Sequence, residues 1–321
     1  MILTKESTYR SILLLLLLWC FVAQASAEDV LKPFVLASAV DNGQVSDISA
    51  GVESSLLAAG FDMIGEYSPY DGANVLVFSS PALRELATQS ARGGYGAVVK
   101  VSVTRNVDRI EIAYTNPHYW ANAFRMQNNV DAVAKQLKSA LGYETQFGSG
   151  TLALTAEDLR KYHYTFMMEY FDDPSILNYF DSHEQAVATV RDNLAKGIAA
   201  TSQVYELKLG PDSKGKPMTL FGVGLKGVDA DDCSSDAYIM SRIDKSSPRH
   251  SAHLPYEILV YGDHTEALYG RFRIAISWPH LPMIASDTGA TFLSIMCAPG
   301  SIEKTLTKVA GGTRETSDSQ K

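Results

Sequence analysis

One phrase recurs in this chain and constrains its fold more than any other feature. Arg109-Ile110-Glu111-Ile112-Ala113-Tyr114-Thr115-Asn116-Pro117-His118 is echoed by Arg271-Phe272-Arg273-Ile274-Ala275-Ile276-Ser277-Trp278-Pro279-His280. Each copy alternates as a half-buried strand does, and each is stopped by a proline that cannot donate to a sheet ladder. A strand–proline–histidine unit met twice predicts two related α+β domains in tandem rather than one large enzyme fold.

The same order of signals surrounds both copies. In the first, Ile48, Val52, Leu56 and Ala59 recur at helical spacing behind Asp47, with Gly60 as the stop. Strands at 61–67 and 75–78 follow, then a short helix from Pro81, a hairpin from Ala97 to Pro117, and a closing helix marked by Val130, Val133, Leu137 and Leu141. In the second, Ser182 with Gln185 forms a capping box before the stripe Val187, Val190 and Leu194. Strands at 203–209 and 219–225, a helix at about 235–243, a polar loop at 246–253, a hairpin of 256–261 with 271–279, and a closing helix through Ile302, Leu306 and Val309 complete it. The expected fold class is therefore α+β: two small, related α/β sandwich domains with mixed or antiparallel sheets. The first spans 28–147 and the second 151–310, with a longer loop and an insertion, and 311–321 forms a disordered tail.

Ahead of them, residues 1–27 read as a secretory signal peptide. Lys5 and Arg10 are the positive flank, Ile12 to Val22 the apolar stretch, and Ala25-Ser26-Ala27 the small-residue cleavage site. That stretch is too short to span a bilayer, which takes about 20 residues, so no stable membrane anchor is expected and the protein is placed in the periplasm or outside the cell. The chain carries 28 basic and 36 acidic residues. With that sign and no basic stripe, nucleic acid is excluded as a partner. Beyond the leader only Cys233 and Cys297 remain. Export permits a disulfide between them, and two separate small buried residues are the other reading.

No catalytic signature is strong, and no catalytic residue is assigned. Gly222-Val223-Gly224-Leu225-Lys226-Gly227 has dinucleotide-loop spacing, but the acidic run that follows would repel a phosphate where a helix N-terminus should receive it. A strand with close backbone packing is the better reading, and no cofactor is predicted. The acids Asp229, Asp231, Asp232 and Asp236 lack the glycine and glutamate of a calcium loop, so Asp232 or Ser234 is expected to cap the next helix. His250, His253 and Cys233 are ligand types for a divalent metal such as zinc or copper. His118 and His280, at matching strand ends, would share one crevice if the repeats paired about a twofold axis. Tyr164, Phe166, Met167, Met168, Tyr170 and Phe171 form a dense apolar cluster, suited to packing, to an apolar ligand or to a partner surface.

The run from Asn74 to Asn116-Pro117 resembles the bacterial domain-of-unknown-function 302 family: strand Val75-Leu76-Val77-Phe78, Pro81 with its short helix, and a hairpin ending in Asn116-Pro117. A looser second copy is carried by Phe221-Gly222-Val223-Gly224, Leu254-Pro255 and Trp278-Pro279. The resemblance implies a small α+β domain that tends to pair, hence a homodimer as one arrangement, and it implies no catalytic residues. The leading expectation is an exported, non-enzymatic module binding a small apolar ligand or a protein. The alternative is a periplasmic enzyme or metal-handling protein using paired histidines at the repeat interface.

Overall fold

The computed structural model describes residues 29–229 and 232–313. The leader at 1–27 and residues 314–321 of the expected tail lie outside them.

From Leu31 onward the chain builds two antiparallel sheets. In the first half β1 (Phe34–Asp41) leads to α1 (Val45–Ala58), β2 (Asp62–Tyr67), β3 (Ala73–Ser79), α2 (Pro81–Thr88) and a 3-10 turn at Gly93–Gly96. The hairpin β4 (Val99–Asn106) and β5 (Arg109–Thr115), α3 (Pro117–Ala123), α4 (Asp131–Leu141) and the short β6 (Thr145–Phe147) close it. The second half opens with α5 (Ala156–Arg160), then β7 (Ser175–Tyr179), α6 (His183–Ala195), β8 (Thr201–Leu209), β9 (Met218–Leu225), α7 (Asp236–Ile243) and a 3-10 turn at Ser251–His253. It ends with β10 (Tyr256–Tyr261), β11 (His264–Ala267), α8 (Gly270–Ser277) and α9 (Ala298–Val309). The first sheet runs β2-β3-β4-β5-β1-β6 and the second β7-β11-β10-β9-β8. Read from β8, the second sheet has the strand order of the first without β6.

Central strands β3 and β9 are buried at every position, which is why they read as unbroken apolar runs. On β3, Leu76 and Phe78 pack with Val52, Leu56 and Leu137 of α1 and α4, whereas Val77 enters a second core. That second core continues into Phe221, Ile258 and Ile274, so the two halves share one apolar interior across the expected boundary at 147–151. These two 3-10 turns each pack on the other half's sheet: Gly93–Gly96 against β9 and β10, Ser251–His253 against β3, β4 and β5. On β9 the expected close approach is present. A Cβ on Gly222 would lie 2.2 Å from the Tyr205 ring, and one on Gly224 would lie 2.6 Å from the Tyr67 ring.

The echo that suggested the repeat is not a repeated strand. Arg271–Ser277 forms α8, and the partner of β10 in its hairpin is β11, four residues long. The alternation arises because Arg273 and Ser277, four apart on one helical face, are polar residues turned inward in a helix buried almost all round. Three further expectations change. The pair Asp173-Pro174, a helix-start signal in the sequence, leads into strand β7 instead. Ser235 caps α7, while Asp232 holds the preceding turn through the backbone N–H groups of Val228 and Ser234. The polar loop at 246–253 is not a surface loop, since His250, Ser251, Ala252 and His253 are all buried against the first sheet. Cys233 and Cys297 form a disulfide with Cα atoms 5.8 Å apart, so Cys233 offers no thiolate to a metal.

Candidate functional site

Charged residues are rare inside proteins, so a lone charge within an apolar strand marks a place where the interior must be paired. Lys100 on β4 and Glu257 on β10 are such charges, and they meet across the seam between the halves. Lys100 Nζ also donates to the Pro255 carbonyl at 2.7 Å, and Arg273 Nε lies 3.3 Å from the second Glu257 oxygen. Arg273 Nη1 reaches His253 Nδ1 at 2.9 Å. A guanidinium only donates, so Nδ1 accepts and the imidazole proton sits on Nε2, facing Tyr256 Oη at 3.1 Å. Burial, reinforced by Arg273, pushes the His253 pKa well below the usual imidazole range. Ser277 Oγ lies 2.7 Å from Nδ1, the reach of a nucleophile–base pair, yet Ser277 and His253 are both sealed from solvent. The adjoining cavity, lined by Lys100, Glu257, Arg273 and Trp120, is about 30 Å³, room for water and not for an organic substrate. This seam ties the halves together.

Two carboxylates at corresponding hairpin positions extend it. Glu111 of β5 pairs across its ladder with Thr104, as Glu266 of β11 does with Leu259. Glu111 accepts the Arg249 backbone N–H at 2.7 Å from the second half; Glu266 accepts Arg92 Nε of the first half at 2.9 Å. Tyr67 of β2 donates to Asp236 of α7 at 2.7 Å, making a further buried crossing.

His250 and His280 lie side by side with ring centres 6.3 Å apart. His250 is buried, stacks on Trp278 and has Nδ1 3.1 Å from Asp244 Oδ1, while its Nε2 has no hydrogen-bond partner. His280 is exposed at the solvent edge. His118 starts α3 and stands 3.7 Å from Asp131, so it and His280 do not occupy matching strand ends. Of the five residues singled out in the sequence, His250 and His280 are brought together, His253 is locked in the seam, and His118 and Cys233 are engaged elsewhere.

An apolar groove of about 550 Å³ lies on the second half. One wall is Phe166, Met167 and Met168, from the expected aromatic–methionine cluster; the other is Met283, Ile284 and Met296. Phe166 is 85% exposed and Met167, Ile284 and Met296 are each 74% exposed, far beyond what packing requires of such side chains. Phe171 of the same cluster, and Tyr162 just ahead of it, turn into the core. The second wall is braced by Tyr164 Oη donating to the Leu281 carbonyl at 2.6 Å, by Tyr164 against Phe292 at 4.6 Å, and by the disulfide at Cys297. Sequence reading missed this wall, because an irregular segment gives its apolar residues no period.

Among the described residues no helix is long and apolar enough to cross a membrane. No protein family, curated protein or solved structure matches the chain.

Proposed function

We propose that this is an exported, non-enzymatic binding protein made of two copies of one α+β module, with the apolar groove as its binding site. The groove carries the reading: its volume falls within the about 300–1,000 Å³ of small-molecule sites, and its walls offer adaptable methionines. The Ser277–His253 pair of the seam is sealed from solvent, which favours binding over chemistry. Export rests on the leader sequence and on the disulfide, a bond that persists in oxidising compartments. Duplication rests on the shared strand order and on Glu111 and Glu266, each receiving the loop of the opposite half. The resemblance to the domain-of-unknown-function 302 family rests on the sequence run from Asn74 to Asn116-Pro117.

The test is fluorescence titration of the mature protein with an environment-sensitive apolar dye, then with lipid extract as competitor. Saturable binding near one equivalent is expected, weakened at least tenfold in Ile284→Asp and Met296→Asp. Dye binding that ignores both substitutions would sink the proposal. Native mass spectrometry of protein from its own compartment then separates a bound small molecule from a protein partner or a second copy.

A further inference from the structure

We propose that His250 and His280 form a two-imidazole site for a borderline divalent cation, zinc or copper(II), separate from the apolar groove. A ligating histidine needs its outer nitrogen anchored and its inner nitrogen vacant. His250 meets both conditions. Its Nδ1 faces Asp244 Oδ1 at 3.1 Å, and the same carboxylate takes the His250 backbone N–H. Its Nε2 is buried without a partner, in a box whose other walls are Trp278, stacked at 4.9 Å, and the edges of Phe34 and Phe147 at 5.2 and 5.4 Å. The stacked Trp278 ring presents its face to the imidazole, and its own indole N–H is likewise buried without a partner, so Nε2 remains an unmet acceptor.

The neighbour that supplies a second ligand is His280. Metal–imidazole bonds run about 2.0–2.1 Å, so two rings holding one ion have centres from about 5 Å apart at a tetrahedral angle to about 6.4 Å when the ion lies in line between them, the arrangement these two rings approach. The observed separation is 6.3 Å. Gly148 and Gly150 leave room for this pair: a Cβ on the first would stand 3.0 Å from His250 Nε2, and one on the second 3.2 Å from the His280 ring. Both have positive φ, so the loop favours glycine on backbone grounds as well. Because no group of three or more His, Cys, Asp or Glu converges among the described residues, water or an incoming ligand would complete the coordination. Imidazole pairs suit zinc and copper rather than calcium or magnesium, which take oxygen ligands.

The experiment uses chelator-stripped mature protein. Zinc affinity is read by competition with a chromophoric chelator, and copper(II) binding by quenching of tryptophan fluorescence, since Trp278 stacks on His250. One equivalent is expected, with affinity reduced at least tenfold in His280→Gln, a surface exchange that leaves the core intact, and unchanged in His118→Gln. Ile284→Asp, on the groove, is expected to retain the metal. Absence of a stoichiometric site in the wild type, or binding by His280→Gln at wild-type affinity, overturns the proposal.

Discussion

Asp236 is fully buried with one carboxylate oxygen bound by Tyr67 and the Leu225 backbone N–H and the other without a partner. Burial outweighs those two hydrogen bonds and raises its pKa from 3.8 to about 7. The folded protein therefore retains a proton that the unfolded chain has already released, and the stability this gives is complete below about pH 4 and lost as pH rises through 7. Asp236→Asn removes that dependence. We expect the variant to gain on the wild type by about 2 kcal/mol between pH 5 and pH 8, read from urea midpoints at both pH values. Lys100, itself lowered to about 7 by burial, interacts with Asp236, so the comparison is made with Lys100→Met in both backgrounds, where only position 236 differs. Its own partner answers a different question. Glu257→Gln would leave Lys100 and Arg273 as two buried cations, and breaking such a pair costs about 3–5 kcal/mol. Lys100→Met leaves Glu257 with Arg273 and should cost clearly less. Equal losses in urea denaturation would mean that Glu257 does not hold the two cations together.

At the scale of elements, the disulfide and the β9 glycines can be tested one by one. Cys233–Cys297 closes a separation of 64 residues. Constraining a loop of that length in the unfolded chain is worth about 4 kcal/mol in the chain-entropy account. The double variant Cys233→Ser/Cys297→Ser should lose about 2–4 kcal/mol and become insensitive to reductant, whereas the wild type should lose stability when dithiothreitol is added. Gly222 and Tyr205 illustrate what a sequence can and cannot disclose. The glycines of β9 were legible as close packing, since a dinucleotide loop needs a helix where this chain places aspartates. That the packed partner is Tyr205, directly opposite Gly222 on the neighbouring strand, depends on the β8–β9 register, which no local pattern specifies. The echo misled for a related reason. A helix buried on nearly every side has no polar face, so inward-turned Arg273 and Ser277 imitated the alternation of a strand. Lys100 and Glu257, by contrast, left a readable trace as single charges inside Val99–Val103 and Tyr256–Tyr261, and their mutual pairing became visible only in three dimensions.

For the whole molecule, the decisive quantity is how the two halves share their interior. Val77 and Trp120 of the first half lie in one core with Phe221, Ile258 and Ile274 of the second. Separating the halves would expose that apolar face and strand the charges Lys100, Glu257 and Arg273, as well as Glu111 and Glu266, away from their partners. Neither half then closes a core of its own on its inward side, and desolvated charges would be left unmatched. The two halves are thus expected to fold as one cooperative unit. In differential scanning calorimetry this means a single transition whose van't Hoff and calorimetric enthalpies agree. It also means that a seam substitution such as Glu257→Gln lowers the midpoint of the whole transition. Independent domains behave differently: they give two transitions, and the β1–β6 sheet melts at its own temperature whatever is done to β10. Because the seam charges come from both halves, one calorimetric trace of wild type and Glu257→Gln distinguishes two halves fused into one interior from two domains joined at 148–150.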